Sequence, residues 1–487
     1  MHRTQYLTVL SPLLLVTLAV AQGSTKPGSL RAKRALNEVL QPSEAELSKR
    51  VTPVVRAVRS TANSVVSVLI TGNRLSGFRR GSMVEGQGSG VIIDETGLVL
   101  TNWHVVARAA AANSGSQVEI RLKSGAKYNA RVLSTSPEYD LALLQLKLPA
   151  NTRLEPLTMG DSSSLMIGET VIAIGNPKGH ANTVTVGVLS AEDREITVRT
   201  PDGRVRKYQG LLQTDAAINQ GNSGGALLDI TGRLIGINNA MSPTSENIGF
   251  AIPVNTVRRV FHEVLLSSEN LTSVYLGMTV AEANGAPVLS KVAAGGPADR
   301  AGLKNGDQIL SINGKRVSST IEYARAILGV SSGKPLAIRV RRKNRELTGR
   351  PVPLSNAAWT VIRRIGAEFE VVTRKQEPKL LEVASKQLYR ELRKRSGRGL
   401  SAILRVRTVH KNSPAHDLGI AKGDVLLGIV DQVPDLFTTR NIINTFPDLR
   451  SLNDALHVMA NRRVREFNVW VLRKGEVMDG QMVIPRL

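Results

Sequence analysis

Between Asn63 and Ala251 the chain is cut into short runs of β-branched and aliphatic residues, at 64–70, 90–93, 97–101, 118–122, 141–146, 170–174, 184–189, 211–214, 226–229 and 234–238, with Gly, Asn, Asp or Pro between most of them. Runs this short and this closely spaced do not make helices. They predict an all-β barrel or sandwich domain of about 200 residues. Residues 254–266 then read as a helix, with Val257, Val260, Phe261 and Val264 on one face, closing that domain. The chain has 487 residues, so at roughly 100 to 200 residues per domain there is room for more.

The C-terminal half contains a duplication. Gly296-Pro297-Ala298 precedes Ala301-Gly302-Leu303 and Gly306-Asp307, and Ser413-Pro414-Ala415 precedes Leu418-Gly419-Ile420 and Gly423-Asp424 at matching offsets. Each copy then enters a strand-like run, which predicts one module over 273–354 and a second over 357–487. At the other end, His2 and Arg3 precede a mostly apolar stretch and Ala19-Val20-Ala21, the layout of a signal peptide over 1–21 cleaved before Gln22. An uncleaved membrane anchor is the alternative, but Ser11, Pro12 and Thr17 interrupt the apolar stretch. Residues 22–54 are a polar, basic linker segment in which Ser43 and Glu46 have capping-box spacing. These features point to a periplasmic or secreted location. The absence of cysteine excludes disulfides, thiol catalysis and Cys-ligated zinc.

The formal charge of +24 raises nucleic-acid binding as a question. Its distribution answers it: residues 51–270 carry 21 basic and 18 acidic side chains, whereas 271–355 carry 13 and 5 and 356–487 carry 23 and 14. The clusters at Arg341, Arg342, Lys343 and Arg345 and at Arg393, Lys394, Arg395 and Arg398 therefore lie outside the β-rich domain. With 3 Trp, 7 Tyr and 7 Phe there is little material for base stacking, and the excess reads as solvated faces or as contact with an anionic envelope surface.

Chemistry concentrates at three places. His104 comes just after a strand in Leu98-Val99-Leu100-Thr101-Asn102-Trp103-His104, Asp140 heads a strand in Glu138-Tyr139-Asp140-Leu141, and Ser223 sits in Asn219-Gln220-Gly221-Asn222-Ser223-Gly224-Gly225. A serine hydroxyl is a poor nucleophile unless an imidazole takes its proton, and the imidazole works best when a buried carboxylate holds its tautomer. The glycines let the loop turn tightly and free the amides of Gly221 and Ser223 to face a developing oxyanion. Each element alone is an ordinary loop or strand-end residue; the three in the order His, Asp, Ser on a β-rich background are the serine-protease pattern.

Thr101-Asn102 through His104-Val105, Asp140-Leu141-Ala142, and Thr214-Asp215-Ala216-Ala217-Ile218-Asn219 through Gly225, together with the duplicated modules, resemble the HtrA/Deg family of envelope serine proteases. The resemblance implies a chymotrypsin-like double β-barrel over 55–268 with His104 as general base, Asp140 as its orienter and Ser223 as nucleophile. It implies an oxyanion hole from the backbone of Gly221, Asn222 and Ser223, and PDZ domains for the modules, the second of them degenerate. It further implies a trimer or a multiple of one, and a small or medium aliphatic P1 residue, with which an apolar pocket near Ile218, Ile237 and Asn238 agrees. Tyr275-Leu276-Gly277-Met278 resembles the loop that binds a peptide C-terminal carboxylate, with a helix around 321–328 as the groove wall. The second module offers Ile365-Gly366-Ala367 there and an inserted amphipathic helix over 378–394, so it is expected to be structural or oligomerising.

The chain departs from the family at Trp103, Gln220 and Ala226, which bears on loop rigidity rather than on reacting groups. Asn222 stands where an Asp would serve activation by a new N-terminal amine, so propeptide activation is not expected. Gly86-Gln87-Gly88-Ser89-Gly90 lacks the Lys-Ser/Thr of a phosphate loop, 329–335 falls one residue short of one, and His262-Glu263 lacks the second histidine of a zinc helix. No metal or cofactor is implied. The expected function is an ATP-independent endopeptidase acting on unfolded or damaged proteins; a catalytically idle binding or chaperone scaffold is the rival.

Overall fold

The computed structural model describes residues 42–76, 79–111, 115–176, 183–219, 221–241, 248–392, 399–434, 439–462 and 464–484. The expected signal peptide, the start of the linker, Gln220 and the basic cluster 393–398 lie outside the described residues. The chain divides into a short unit, 1–55, and a large one, 56–487. In the short unit Ser43 and Glu46 form the expected capping box on a helix over Glu44–Lys49. Among the described residues no helix is long and apolar enough to cross a membrane, which says nothing of β-barrels.

The β-rich region forms two closed antiparallel barrels of six strands. The first contains β1 (Val65–Ser76), β2 (Arg79–Asp94), β3 (Leu98–Thr101), β4 (Gln117–Arg121), β5 (Lys127–Ser136) and β6 (Leu141–Leu146), in the order β1-β2-β3-β6-β5-β4. The second contains β7 (Thr170–Gly175), β8 (Thr183–Arg199), β9 (Val205–Thr214), β10 (Ala226–Asp229), β11 (Leu234–Met241) and β12 (Gly249–Pro253), in the order β10-β11-β12-β9-β8-β7. Closure pairs the strands on both sides along the barrel walls, while the outer parts of the β1–β2 and β8–β9 hairpins run on as two-stranded ribbons. Val66, Val68, Ile70, Ile92, Val99 and Leu144 fill the first barrel, and Val171, Leu189, Leu227 and Ala251 the second, all without exposure. Each large aliphatic among them contributes about 1.5–3 kcal/mol by leaving water. The expected double barrel is present. The closing helix is α-helical only over Val254–Val260 and widens to a π-helical turn over Phe261–Leu265.

Each downstream module carries a five-strand antiparallel path with an edge strand at its start, Met278–Ala283 in the first and Ala367–Thr373 in the second. The repeat extends to the interior. Asp307 in one module and Asp424 in the other are both buried and both accept two hydrogen bonds from an arginine, Arg342 (2.6 and 2.7 Å) and Arg473 (2.8 and 2.6 Å). A helix over Asn356–Ile365 joins the modules, ended by Gly366 at φ 78°. The inserted helix spans Pro378–Glu391 and buries Leu381, Ala384 and Leu388 against Ile403, Leu427 and Trp470 of its own sheet. In this structure it serves as part of the second module's core.

Candidate active site

His104 is delivered by β3, which runs through Asn102 into a short helix, Trp103–Ala110. The free N–H groups at the start of that helix need an acceptor. Asp140 supplies it from 36 residues away: its Oδ1 accepts the His104 N–H at 2.9 Å while its Oδ2 meets His104 Nδ1 at 2.7 Å. The Asp140 carbonyl in turn accepts the Trp103 N–H at 3.1 Å and Asn102 Nδ2 at 3.0 Å. These bonds hold Asp140, 1 % exposed, at φ 50°, a left-handed conformation that Asp tolerates better than most residues. Burial pushes the His104 imidazole down, but the Asp140 charge and hydrogen bond outweigh it and leave the imidazole above its usual pKa.

Trp103, a departure from the family, is buried, and the Arg206 guanidinium covers its ring at 4.8 Å from the centroid. Arg206 is held by two bonds to Asp202, at 2.6 and 2.7 Å. Two residues further along β9, Tyr208 donates its hydroxyl to the Pro137 carbonyl at 3.2 Å. The β8–β9 hairpin of the second barrel thus lies against both segments that carry the His–Asp pair.

Ser223 stands half-buried in the loop between β9 and β10. The Asn222 N–H donates to the Asn219 carbonyl at 3.0 Å and closes a turn whose third residue, Gly221, has φ 107°. A positive φ at the third position of a turn suits glycine. Because its N–H is engaged here, Asn222 is withdrawn from the expected oxyanion donors. The N–H groups of Gly221 and Ser223 have no acceptor among the described residues. Gly224, at φ 82°, has no room for a side chain: a Cβ there would lie 2.2 Å from the Ser89 carbonyl and 2.4 Å from Thr101 Oγ1.

The loop is brought to the first barrel by backbone contacts. Ser89 in β2 donates its N–H to the Ser223 carbonyl at 2.8 Å, and Gly224 rests against Thr101 and Asn102, immediately before His104. The Ser223 hydroxyl makes no hydrogen bond to the imidazole among the described residues. Such contacts are often long before substrate binds. Of the expected pocket residues, Ile218 packs beside Gly249, whose missing Cβ would lie 2.8 Å from it. Ile237 and Asn238 have no exposure. Asn238 binds the Ser223 loop instead, its carbonyl accepting from Gly224 N at 2.8 Å and its Nδ2 donating to the Ala226 carbonyl at 3.0 Å. Neither Ile237 nor Asn238 presents surface in this structure.

All three reactive residues fall within 88–237, the segment matched by the trypsin-like peptidase domain model; a PDZ domain model matches 288–342. The chain is 33% identical over 385 residues to the periplasmic serine endoprotease DegP of Salmonella typhimurium, covering 75% of this chain and 73% of that one. It is 31% identical over 466 residues to the periplasmic pH-dependent serine endoprotease DegQ of Escherichia coli, covering 90% and 96%. This chain belongs to the DegP/DegQ family. It is a serine endopeptidase. Among solved structures, an HtrA-type protease AlgW with a decapeptide is 30% identical and covers 63% of this chain and 99% of its own, at a TM-score of 0.38.

In this DegP/DegQ-family chain the first module begins with an edge strand among the described residues. Met278–Ala283 pairs on one side only, with Ala286–Val292, and the helix expected around 321–328 runs over Thr320–Ile327. Tyr275 does not line an open groove: it is buried and stacked on Trp359 at 3.8 Å and 8°. The Leu276 N–H donates to Ser268 Oγ at 3.3 Å. Gly277, at φ 72°, bonds the Ala293 N–H through its carbonyl at 2.9 Å. In the second module Gly366 holds the same place, its carbonyl accepting from His410 N at 2.8 Å. Sequence reasoning missed Ser89, Asn102 and Arg206. Asn102 and Ser89 lie inside motifs the sequence displays, at 101–105 and 86–90, without their roles being legible there, and Arg206 acts from another element with no motif of its own.

Proposed function

We propose that His104, Asp140 and Ser223 form the catalytic triad of an endopeptidase that works in the bacterial envelope, in the periplasm, on unfolded or damaged proteins. The observation that carries this reading is the His104–Asp140 pair at 2.7 Å, with the Ser223 loop bonded to the strand beside it. In the reaction Ser223 Oγ attacks the scissile carbonyl carbon and passes its proton to His104 Nε2, while Asp140 keeps the proton on Nδ1. The N–H groups of Gly221 and Ser223 stabilise the resulting oxyanion. His104 then returns the proton to the leaving amine, an acyl-enzyme remains, and water repeats the sequence. Peptide hydrolysis runs downhill, so no nucleotide is required. The protease domain is assigned to 55–268, the first PDZ domain to 273–354 and the second to 357–487. The open edge of the first is the proposed dock for peptide C-termini, and the assembly a trimer or a multiple of one. Ser223→Ala should abolish fluorophosphonate labelling and lower casein turnover by about 10^6, the loss known for a comparable nucleophile. Undiminished cleavage by that variant refutes the assignment.

A further inference from the structure

Ser89 lies in β2 with no exposure and makes four hydrogen bonds. Its N–H donates to the Ser223 carbonyl at 2.8 Å, and its carbonyl accepts from Thr101 Oγ1 at 2.7 Å. Any residue with a free backbone makes those two. The other two need the hydroxyl, which donates to the Gly221 carbonyl at 2.5 Å and accepts the Asn176 N–H at 2.8 Å. Gly221 and Asn176 both belong to the second barrel, the one in the nucleophile loop and the other at the end of β7. The hydroxyl is therefore a cross-barrel link within the Gly86-Gln87-Gly88-Ser89-Gly90 segment.

The position of that link matters because of what it fixes. The proposed oxyanion donors are the N–H groups of Gly221 and Ser223, separated by the peptide planes 221–222 and 222–223. Ser89 Oγ holds the carbonyl of the first plane, and Ser89 N holds the Ser223 carbonyl just beyond the second. Gly221 is a glycine at φ 107°, and glycine takes either sign of φ with little penalty. Nothing in its own covalent structure keeps its N–H aimed one way. The 221–222 plane is held at both ends, because turning it leaves the buried Gly221 carbonyl without Ser89 Oγ and the buried Asn222 N–H without the Asn219 carbonyl.

We infer that Ser89 is a positioning residue for the oxyanion hole, setting the aim of the Gly221 and Ser223 N–H groups through its hydroxyl from the opposite barrel. This rests on the reading of Ser223 as nucleophile. The experiment uses the full chain and compares wild type, Ser89→Ala and Ser89→Cys, which keeps the volume but donates more weakly. Three quantities are measured: kcat and KM on a fluorogenic peptide, the affinity of a peptide boronic acid, whose tetrahedral adduct places an oxygen in the hole, and the thermal unfolding profile.

For Ser89→Ala, kcat and boronate affinity should fall together by at least about tenfold, bounded by the about 10^3-fold loss that removing one oxyanion donor causes. KM should stay within about twofold, and Ser89→Cys should lie between. A kcat within about twofold of wild type overturns the inference. So does a fall in kcat with boronate affinity unchanged, and so does misfolding of both variants, which makes the hydroxyl a folding element. Absence of fluorophosphonate labelling in wild type refutes the nucleophile assignment itself, a result distinct from all of these.

Discussion

Replacing Asp140 by Asn separates the charge of the carboxylate from its geometry. Asn occupies φ near 50° as readily as Asp does, so the backbone conformation is not at issue. An amide oxygen in place of Oδ1 still accepts the His104 N–H. The substitution removes the attraction between the carboxylate and the imidazolium that forms during attack. At 2.7 Å and an effective dielectric constant of about 20, that attraction is about 6 kcal/mol. At about 1.4 kcal/mol per decade it corresponds to about four decades of rate, the size of the loss when a comparable triad receives the same substitution. Expected, then, is a kcat about 10^4 below wild type on a fluorogenic peptide, with active enzyme counted by fluorophosphonate titration. The pH profile carries the second check. His104 acts as a base only when neutral, and Asp140 holds its pKa above the usual value against the downward pull of burial. Wild-type kcat/KM should therefore rise with pH through a midpoint above the ordinary histidine value. In Asp140→Asn only the downward pull of burial remains, and the midpoint of the residual activity should move to lower pH. A loss smaller than about tenfold, or an unmoved midpoint, refutes the reasoning.

Two further substitutions test the scaffold. Gly224→Ala introduces a Cβ at 2.2 Å from the Ser89 carbonyl in a left-handed conformation that itself costs about 1–2 kcal/mol. It should lower peptidase activity by more than about a hundredfold, and crystals or activity showing an undisturbed loop would contradict the packing. Asp424→Ala strips a buried carboxylate from Arg473, and breaking such a pair costs about 3–5 kcal/mol. Because the Arg473 side chain is 31% exposed, the lower end is expected, read as a lowered calorimetric transition of the second module with peptidase kinetics unchanged. An unshifted transition would show that the pair contributes nothing.

The sequence made legible whatever is written locally. The β10 run, 226–229, is buried along most of its length and was readable as apolar letters. β5 was not, because its inward-facing Tyr128, Ala130 and Val132 alternate with Lys127, Asn129 and Arg131 and form no continuous apolar run. The reactive residues were visible because glycines and strand ends punctuate them. The turn at Gly221 was foreseeable, but the engagement of the Asn222 N–H depends on the turn type, which one glycine does not decide. The zero exposure of Ile237 and Asn238 was not legible, because buried and exposed strand residues here have the same composition. The Asp307–Arg342 pair illustrates the remaining limit: Gly-Asp is conspicuous in the repeat, whereas its arginine partner stands 35 positions later in a run of other arginines.

The division of the chemistry between two closed barrels has a consequence for how this enzyme fails. His104 and Asp140 belong to one barrel and Ser223 to the other, and in the proposed mechanism neither half performs a step alone. Each barrel has its own core, so parting them along their seam requires neither to melt. Local openings of this kind draw on a fraction of the global free energy. On heating, activity should fade while most of the strand signal persists. For this molecule a catalytic assay measures registry between two bodies, and a spectroscopic melting curve measures something that gives way later.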